Sequence, residues 1–421
     1  MDKLIIEGSR PLRGEVKISG AKNSCLPILA ATLLTDDKCV IKNVPALGDV
    51  STMLNILRSL GVDTAMQGDT ITVTPTSSRN TVASYELVST MRASVCVLGP
   101  LVAKMKKAEV SFPGGCVIGP RPIDLHLKGI KALGAKLEVK EGYIVASADK
   151  GLRGSHVYLG GHFGSSVLAT ANTMMAAVLA RGKTIIENAA CEPEVVDLAN
   201  FLKKMGAKID GIATHRLEIT GVKKLKGVTY SVIPDRIETG TFIIAAGLTK
   251  GDITLKCTSS DHLNCVIDKL RESGLYIKTL KNSMRVKYKK PLKPMDITTL
   301  PYPGFPTDLQ AQMTSLMSVN KGISVITEKI YPERFIHISE LNRMGADIKL
   351  EGPTAIVRGV KHLSGARVMA SDLRASAALI LAGLVAKGRT EISRIYHLDR
   401  GYEEIEKKLN LLGAKIYRER E

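Results

Sequence analysis

The sequence contains no tryptophan, and aromatic residues make up only 4% of its 421 residues. Hydrophobic residues nevertheless account for 44% of the chain, so its cores must be aliphatic and rich in alanine. This composition suits helices packed tightly against sheets. A chain of this length exceeds one ordinary domain, and we therefore expect two domains.

Long apolar runs and paired cysteines are also missing. The longest apolar runs, such as residues 375–386, are too short to span a bilayer, and the first ten residues lack the apolar core of a signal peptide. The seven cysteines form neither a CxxC pair nor a zinc-spaced cluster with histidine. This pattern predicts a soluble, reduced, cytoplasmic protein with no membrane partner, no metal and no other cofactor.

The net charge of +18 first suggests a nucleic-acid partner. The lysines are spread along the chain, however, and no zinc-finger or aromatic-stacking motif accompanies them. Small anionic substrates explain the charge equally well, so we expect no nucleic-acid partner. A polyanion-binding repeat protein stays an alternative, and it predicts binding that depends steeply on salt.

One short pattern recurs six times along the chain. In each copy a basic or polar turn leads to a glycine, and an alternating strand follows. The glycines, spaced by 68 to 73 residues, are Gly61, Gly134, Gly206, Gly274, Gly345 and Gly413. Each copy is typical of a helix that ends at a glycine with positive φ. The repeat predicts an α/β fold of six units of about 70 residues each, three per domain.

A polar segment precedes the first helix of every copy. These segments centre on Lys22–Asn23, Arg92, Ser166, Arg236, Asp308 and Arg374. Four of them place a cation at a helix start, against the dipole preference, which indicates anion binding. Alternatively, Ser166 and Asp308 are ordinary helix caps and the basic residues are solvated side chains.

The stretch "FPGGCVIGPRP" at residues 112–122 holds a cysteine in an irregular, glycine-rich loop. Arg121 follows Cys116 by five residues, and a nearby cation favours the reactive thiolate. Cys116 is therefore a candidate reactive group on a loop that could act as a lid.

Taken together, "ISGAKNSCLP", "TMRAS", "PGGCVIGPRPIDLH", "FPTDLQAQ", "DLRASAAL" and "IYHLDRGYE" resemble the enolpyruvyl transferases that act on UDP-N-acetylglucosamine. The resemblance covers essentially the whole chain. It implies a two-domain inside-out α/β barrel of six βαβαββ-like repeats, with helices inside and sheets outside. The implied domains are residues 22–232, and residues 1–21 with 233–421, joined by a double crossing that can hinge.

The resemblance also implies a reaction. The enolpyruvyl group of phosphoenolpyruvate would be transferred to the 3-hydroxyl of UDP-N-acetylglucosamine with release of phosphate, the first committed step of peptidoglycan biosynthesis. Cys116 would donate the proton and form a covalent adduct with phosphoenolpyruvate. Asp308 would act as the base, and Lys22 and Arg400 would complete the catalytic set.

Substrate contacts follow from the same resemblance. Lys22 and Asn23 would bind phosphoenolpyruvate, and its carboxylate and phosphate would be clamped by Arg334, Arg374 and Arg400. The sugar nucleotide would contact Arg92, Arg121, Pro122, Ile123, Asp124, Leu125, Ser166, Val167, Asp308 and Ile330. Asp124 could instead be a helix cap. The family commonly has a lysine or proline four residues before a glycine in its uridine-contacting segment. The aligned residues 164–167 include no basic residue, so we expect the uridine or diphosphate contacts to differ.

Two other functions stay open. The sister enzyme, 3-phosphoshikimate 1-carboxyvinyltransferase, shares the implied fold but does not use the cysteine loop. A non-catalytic paralogue that binds a nucleotide sugar is disfavoured because Cys116, Asp308, Lys22 and Arg400 are all present. Inactivation by fosfomycin through Cys116 would favour the first interpretation. The sequence does not indicate an oligomeric state.

Overall fold

The structure is a computed structural model that describes residues 2–8, 10–114, 122–162 and 164–420. These residues form two compact units. The first unit comprises the described residues of 20–233, and the second comprises those of 2–19 together with 234–420.

The described residues form short strands and helices in regular alternation. The strands are β1 Lys3–Glu7, β2 Arg13–Lys17, β3 Cys39–Lys42, β4 Val62–Gln67, β5 Thr70–Pro75, β6 Val82–Ala83, β7 Lys107–Ser111, β8 Lys136–Lys140, β9 Tyr143–Ser147, β10 His156–Tyr158, β11 Gly160–Gly161, β12 Gly164–Ser165, β13 Lys183–Glu187, β14 Lys208–Asp210, β15 Arg216–Thr220, β16 Thr229–Ser231, β17 Asp252–Lys256, β18 Tyr276–Leu280, β19 Ser283–Lys287, β20 Ile297–Thr298, β21 Ile323–Thr327, β22 Asp347–Glu351, β23 Thr354–Arg358, β24 Arg367–Met369, β25 Arg389–Ser393 and β26 Lys415–Glu419. The α-helices are α1 Lys22–Ala31, α2 Gly48–Ser59, α3 Tyr85–Val88, α4 Leu98–Met105, α5 Asp124–Ala132, α6 Val167–Ala177, α7 Pro193–Lys204, α8 Arg236–Leu248, α9 Asn264–Ser273, α10 Gln310–Met317, α11 His337–Arg343, α12 Leu373–Val385 and α13 Ile405–Leu411. The 3₁₀ helices are Thr32–Leu34, Arg92–Val97, Thr307–Leu309 and Ile395–Arg400.

Each unit contains three four-stranded sheets. In the first unit the strand orders are β16-β3-β5-β4, β6-β7-β9-β8 and β10-β13-β15-β14. In the second unit they are β18-β19-β17-β2, β20-β21-β23-β22 and β24-β25-β1-β26. Each four-stranded sheet has three mutually antiparallel strands and one edge strand that pairs in parallel, as β10 does with β13. The predicted count of six repeats, three per unit, is confirmed.

The repeated glycines occupy the predicted backbone position. All six follow a helix and adopt positive φ, from 83° at Gly61 to 108° at Gly206 and Gly274. A side chain at such a φ is strained, whereas glycine turns the chain from the helix into the next strand without that cost. The pattern thus sets the junction between the helix and the hairpin in each repeat.

The last sheet of the second unit is completed by the start of the chain. Strand β1 lies between β25 and β26 and pairs antiparallel with both, Leu4 standing opposite Ile392 on one side and Arg418 on the other. The three side chains at its centre, Leu4 to Ile6, are fully buried.

In each unit the buried helices form the centre and the sheets lie outside them. Every residue of α12 from Leu373 to Leu384 is buried, as is every residue of α6 from Ala169 to Ala177. The strands instead alternate between buried and more exposed residues, so each sheet has one face toward the core. None of the helices within residues 2–8, 10–114, 122–162 and 164–420 has the length and apolarity needed to cross a membrane.

Candidate active site

The six polar segments predicted to start helices do lie at helix starts. Lys22, Arg92 and Arg236 each begin a helix, and Arg374 is the second residue of α12. Asp308 lies in the 3₁₀ helix that leads into α10. The prediction that basic side chains lie at helix N-termini is therefore confirmed. The unpaired N–H groups of a helix N-terminus favour bound anions.

Ser166 is the N-cap of α6. Its hydroxyl accepts a hydrogen bond from the backbone N–H of Ala169 at 3.4 Å, so the interpretation as a helix cap is correct for this residue. Val167 follows as the first residue of the helix. The chain enters the helix from β12, which pairs antiparallel with β11.

Asp308 is the centre of a charged cluster in the second unit. One carboxylate oxygen accepts from Arg334 Nη1 at 2.8 Å, and the other accepts from Arg374 Nη2 at 2.8 Å. The side chain of Asp308 is 25% exposed, and those of Arg334 and Arg374 are 8% and 4% exposed. Asp308 therefore contacts two arginines rather than capping the helix, and the interpretation of Arg374 as a solvated side chain is wrong.

The two arginines determine the protonation state of Asp308. Burial by itself would raise the pKa of the carboxyl group, but the positive charges of Arg374 and Arg334 outweigh burial. The pKa of Asp308 is held well below its usual range, and the side chain is ionised at neutral pH. Asp308 shares these two arginines with the charges of Asp372 and Asp235, so it is the guanidinium groups themselves, rather than a net positive charge, that suit an anionic ligand.

The surrounding elements fix the arginine that comes from α12. Asp372 caps this helix by accepting from the backbone N–H groups of Arg374 and Ala375 at 2.8 and 3.1 Å. The guanidinium of Arg374 stands 5.5 Å from the centre of the buried Tyr402 ring. The Tyr402 hydroxyl in turn lies 3.1 Å from the amide nitrogen of Gln312, which also donates to the backbone carbonyl of Asp308 at 3.0 Å.

Two more predicted residues lie in the same unit. Arg400 ends the 3₁₀ helix Ile395–Arg400. Ile330 lies in the loop that follows β21, six residues after Ser324 of that strand. Its backbone N–H donates a hydrogen bond to Glu328 at 2.8 Å.

In the first unit Lys22 forms a largely buried ion pair. Its ammonium group lies 2.9 Å from a carboxylate oxygen of Asp49, and the two side chains are 11% and 7% exposed. The interpretation of Lys22 as a solvated side chain is therefore wrong. Asn23 follows it in the first turn of α1.

Arg92 links two predicted segments of the first unit. Its guanidinium donates to the backbone carbonyl of Pro122 at 2.8 Å, immediately before Ile123 and the start of α5. Asp124 is the first residue of that helix and Ile123 holds the N-cap position, so the alternative that Asp124 is the helix cap is wrong. Leu125 follows within the same turn.

The buried Asn172 holds these segments together, a role that no sequence motif indicates. Its amide group donates to the carbonyl of Val95 at 2.9 Å and lies 3.2 Å from His126 Nδ1, while its oxygen accepts from Gly99 at 2.6 Å. Burial, aided by the charge of Arg92, lowers the pKa of His126 to about 3, so the ring is neutral.

Cys116 and Arg121 lie outside the described residues, so their predicted roles are carried forward as predictions. In the part of the chain that the structure describes, no group of histidine, cysteine, aspartate and glutamate side chains could hold a metal ion.

Comparisons with known proteins agree on one family. Residues 6–409 match the family model described as EPSP synthase (3-phosphoshikimate 1-carboxyvinyltransferase). A protein of Myxococcus xanthus named UDP-N-acetylglucosamine 1-carboxyvinyltransferase is 54% identical over 424 residues, with 100% of both chains covered. A protein of Caldanaerobacter subterraneus named UDP-N-acetylglucosamine 1-carboxyvinyltransferase 1 is 54% identical over 416 residues, with 99% of both covered.

Solved structures share the fold at lower identity. The enolpyruvyl transferase NikO from Streptomyces tendae aligns with a TM-score of 0.90 at 24% identity, covering 99% of this chain and 98% of that one. EPSP synthase from Acinetobacter baumannii aligns with a TM-score of 0.79 at 16% identity, covering 100% of both chains. The fold predicted from the sequence is confirmed.

Proposed function

Because the chain belongs to the enolpyruvyl transferases, within the family of UDP-N-acetylglucosamine 1-carboxyvinyltransferases, we propose that it transfers an enolpyruvyl group from phosphoenolpyruvate to that sugar nucleotide. The observation that carries this proposal is 54% identity over the whole chain to proteins with that name. The chain is thus an enzyme, a transferase. Its acceptor is the 3-hydroxyl of the sugar, and phosphate is released.

The proposed reaction is an addition followed by an elimination. A proton added to the methylene carbon of phosphoenolpyruvate makes its C2 atom electron-poor, and the sugar hydroxyl oxygen bonds to C2 while losing its proton. The tetrahedral intermediate then loses a proton from the new methyl group, and the bond between C2 and the phosphate oxygen breaks. The chemistry requires an acid, a base and positive charge around the phosphate and carboxylate.

Asp308 is the proposed base for the hydroxyl proton. A carboxylate held by two guanidinium groups is ionised and so able to accept a proton, but it binds that proton weakly. Phosphoenolpyruvate brings its own carboxylate and phosphate, which would compete with Asp308 for Arg334 and Arg374. When the guanidinium groups of Arg334 and Arg374 pair with the substrate instead, the proton affinity of Asp308 rises. Asp308 is therefore a stronger base when the substrate is bound.

Cys116 is the proposed acid and the site of a covalent adduct with phosphoenolpyruvate. Its thiol would protonate the methylene carbon, and Arg121 would favour the thiolate that remains. These two roles rest on the loop sequence "PGGCVIGPRP" and on the family.

The remaining residues are proposed to bind the substrates. Lys22, Asn23 and Arg400 would hold phosphoenolpyruvate, and the position of Lys22 and Asn23 at the N-terminus of α1 supports this assignment. The sugar nucleotide would be bound by Arg92, Arg121, Pro122, Ile123, Asp124, Leu125, Ser166, Val167, Asp308 and Ile330.

The reaction would serve peptidoglycan synthesis, and with it cell shape and division, in the cytoplasm. Six cysteines of the described residues are free thiols, which supports a reducing compartment. The substrates are small anions, and the proposal includes neither a metal nor a nucleic acid.

A phosphate-release assay tests the proposal. The purified chain should release phosphate from phosphoenolpyruvate with UDP-N-acetylglucosamine and not with shikimate 3-phosphate, and Cys116→Ser should abolish the release. Release with shikimate 3-phosphate alone would establish the sister activity instead. Binding of the sugar nucleotide without any release would indicate a non-catalytic paralogue.

A further inference from the structure

Glu328 is a completely buried carboxylate next to the charged cluster of the second unit, and its exposed fraction is 0%. It follows the last residue of β21 and faces four hydrogen-bond donors. One oxygen accepts from Thr299 at 2.6 Å and from the backbone N–H groups of Ile330 and Tyr331 at 2.8 and 2.9 Å. The other accepts from the Thr307 hydroxyl at 2.9 Å.

The hydrogen bond to Thr307 fixes the direction of a short relay. A carboxylate can only accept, so the Thr307 hydroxyl must donate to Glu328 and turn a lone pair elsewhere. That lone pair accepts from Arg334 Nη1 at 3.0 Å, and the same nitrogen donates to Asp308 at 2.8 Å. Glu328 therefore determines where Arg334 stands and how it meets Asp308.

The other oxygen of Glu328 shapes the loop that follows β21. Two successive backbone N–H groups converge on it, which holds the chain at Ile330 in a tight turn. Ile330 is a proposed contact of the sugar nucleotide. One buried side chain thus holds both the loop of Ile330 and the arginine that pairs with the proposed base.

We propose that Glu328 is a positioning residue, which aligns Arg334 with Asp308 through Thr307 and sets the loop at Ile330 for the sugar nucleotide. This role rests on the proposed function. Glu328 itself contacts neither substrate, and it acts through the groups that do.

Glu328→Gln tests the relay with almost no change of shape. An amide presents one acceptor and one donor, so it must either face the backbone N–H groups with its NH₂ or deprive Thr307 of an acceptor. We expect kcat to fall about 10- to 100-fold, since small displacements of a catalytic group have effects of that size. Because Arg334 then holds Asp308 less firmly in the free enzyme, the acidic limb of the pH profile of kcat/KM, which reports the free enzyme, should move to higher pH.

Threonine variants separate positioning from stability. Thr307→Val removes the relay hydroxyl and should reproduce both the fall in kcat and the shifted acidic limb. Thr307→Ser keeps a hydroxyl at this position, so it should show the wild-type kcat and the wild-type pH profile. Thr299→Val is the control for the relay alone, because it removes a hydrogen bond to the same carboxylate and the acceptor of the Lys329 N–H but leaves Thr307 in place. The double variant of Glu328→Gln and Thr307→Val should be no worse than either single variant.

The outcomes are distinct. If folded Glu328→Gln matched Thr299→Val in kcat and in pH profile, the positioning role would be wrong while the proposed function stood. Should Glu328→Gln fail to fold, Thr307→Val decides, and a wild-type profile for that variant would overturn the role. No turnover by the wild-type chain would remove the proposed function and this role with it.

Discussion

At the scale of single residues, the central feature is a carboxylate shared by two buried arginines. Asp308, Arg334 and Arg374 were each predicted from motifs, but their mutual ion pairs were not, since they lie 26 and 66 positions apart in the chain. Sequence motifs identify residues that face a substrate. They carry no signal for buried partners such as Glu328, Asp49 and Asn172, whose contacts arise from packing.

Asp308→Asn should lower kcat by at least about 100-fold, because an amide cannot accept the hydroxyl proton. The same change removes the anion that competes for Arg334 and Arg374, so phosphoenolpyruvate should bind at least as tightly as to the wild type. Single-turnover kinetics and calorimetric titration would measure the two effects. Near-normal turnover by Asp308→Asn or Asp308→Ala would show that the base is another residue.

Lys22→Ala should weaken the use of phosphoenolpyruvate and also destabilise the first unit, because it removes the ammonium group that pairs with the buried carboxylate of Asp49. Removing one partner of a well-buried ion pair costs up to about 3–5 kcal/mol, and this pair is slightly exposed, so a smaller loss is expected.

Adding Asp49→Asn to Lys22→Ala separates these two effects. The double variant should regain most of the thermal stability without recovering the KM for phosphoenolpyruvate. Recovery of both would show that Lys22 acts through Asp49 alone.

At the scale of elements, the six glycine-terminated helices and the polar helix starts could be read from the sequence because each depends on a few adjacent residues. The 3₁₀ form of the helix that begins at Arg92 could not be predicted from the sequence. Pro100 has no N–H to donate to the carbonyl of Cys96, which removes one α-helical hydrogen bond where this segment joins α4. Whether such a segment becomes a 3₁₀ helix or a loop depends on the buried partner Asn172.

Two aspartates in the same slot of different repeats provide a matched test of helix capping. Asp372 caps α12 and Asp235 caps α8, each with two backbone hydrogen bonds of 2.7 to 3.1 Å. Either change to alanine should cost about 0.5–2 kcal/mol of unfolding free energy.

The two caps should differ in their effect on catalysis. Asp372→Ala should lower kcat further than Asp235→Ala at equal loss of stability, because Arg374 and its bond to Asp308 follow directly from the cap on α12. Denaturant unfolding and steady-state kinetics would measure both quantities. Equal kcat in the two variants would indicate that the cap does not position Arg374.

At the scale of the whole molecule, the number of repeated sheets was predictable, but which strands make up each of them was not. A repeat of about 70 residues predicts six similar sheets, but periodicity alone does not state which sheet receives the first strand of the chain. The insertion of β1 between β25 and β26 depends on a pairing across nearly the full length of the sequence.

Each unit contains a buried histidine that should make the protein sensitive to mild acid. Burial lowers the pKa of His126 to about 3 and that of His337 to about 4, both below the ordinary value of 6.5. Above pH 6.5 these histidines therefore do not reduce the free energy of unfolding. Below that pH the unfolded chain binds protons that the folded chain does not bind, so the free energy of unfolding falls. The slope is about 1.4 kcal/mol per pH unit for each histidine.

Thermal unfolding between about pH 7 and pH 5 would measure this loss. His126→Gln and His337→Gln should each flatten the dependence, whereas His156→Gln, at a ring that is 63% exposed, should not. The lowered pKa of Asp308 affects stability only below about pH 4, outside this window. An unchanged slope in both buried variants would contradict the assignment.

The position of β1 also has a consequence for biosynthesis. When this strand leaves the ribosome, both of its hydrogen-bonding neighbours, which lie within residues 389–419, are still to be synthesised. At about 5–20 residues per second, it waits on the order of 20 to 80 seconds without them. The first unit can finish folding during translation, whereas β1, with its apolar Leu4, Ile5 and Ile6, must be kept from aggregation until residues 389–419 have been synthesised.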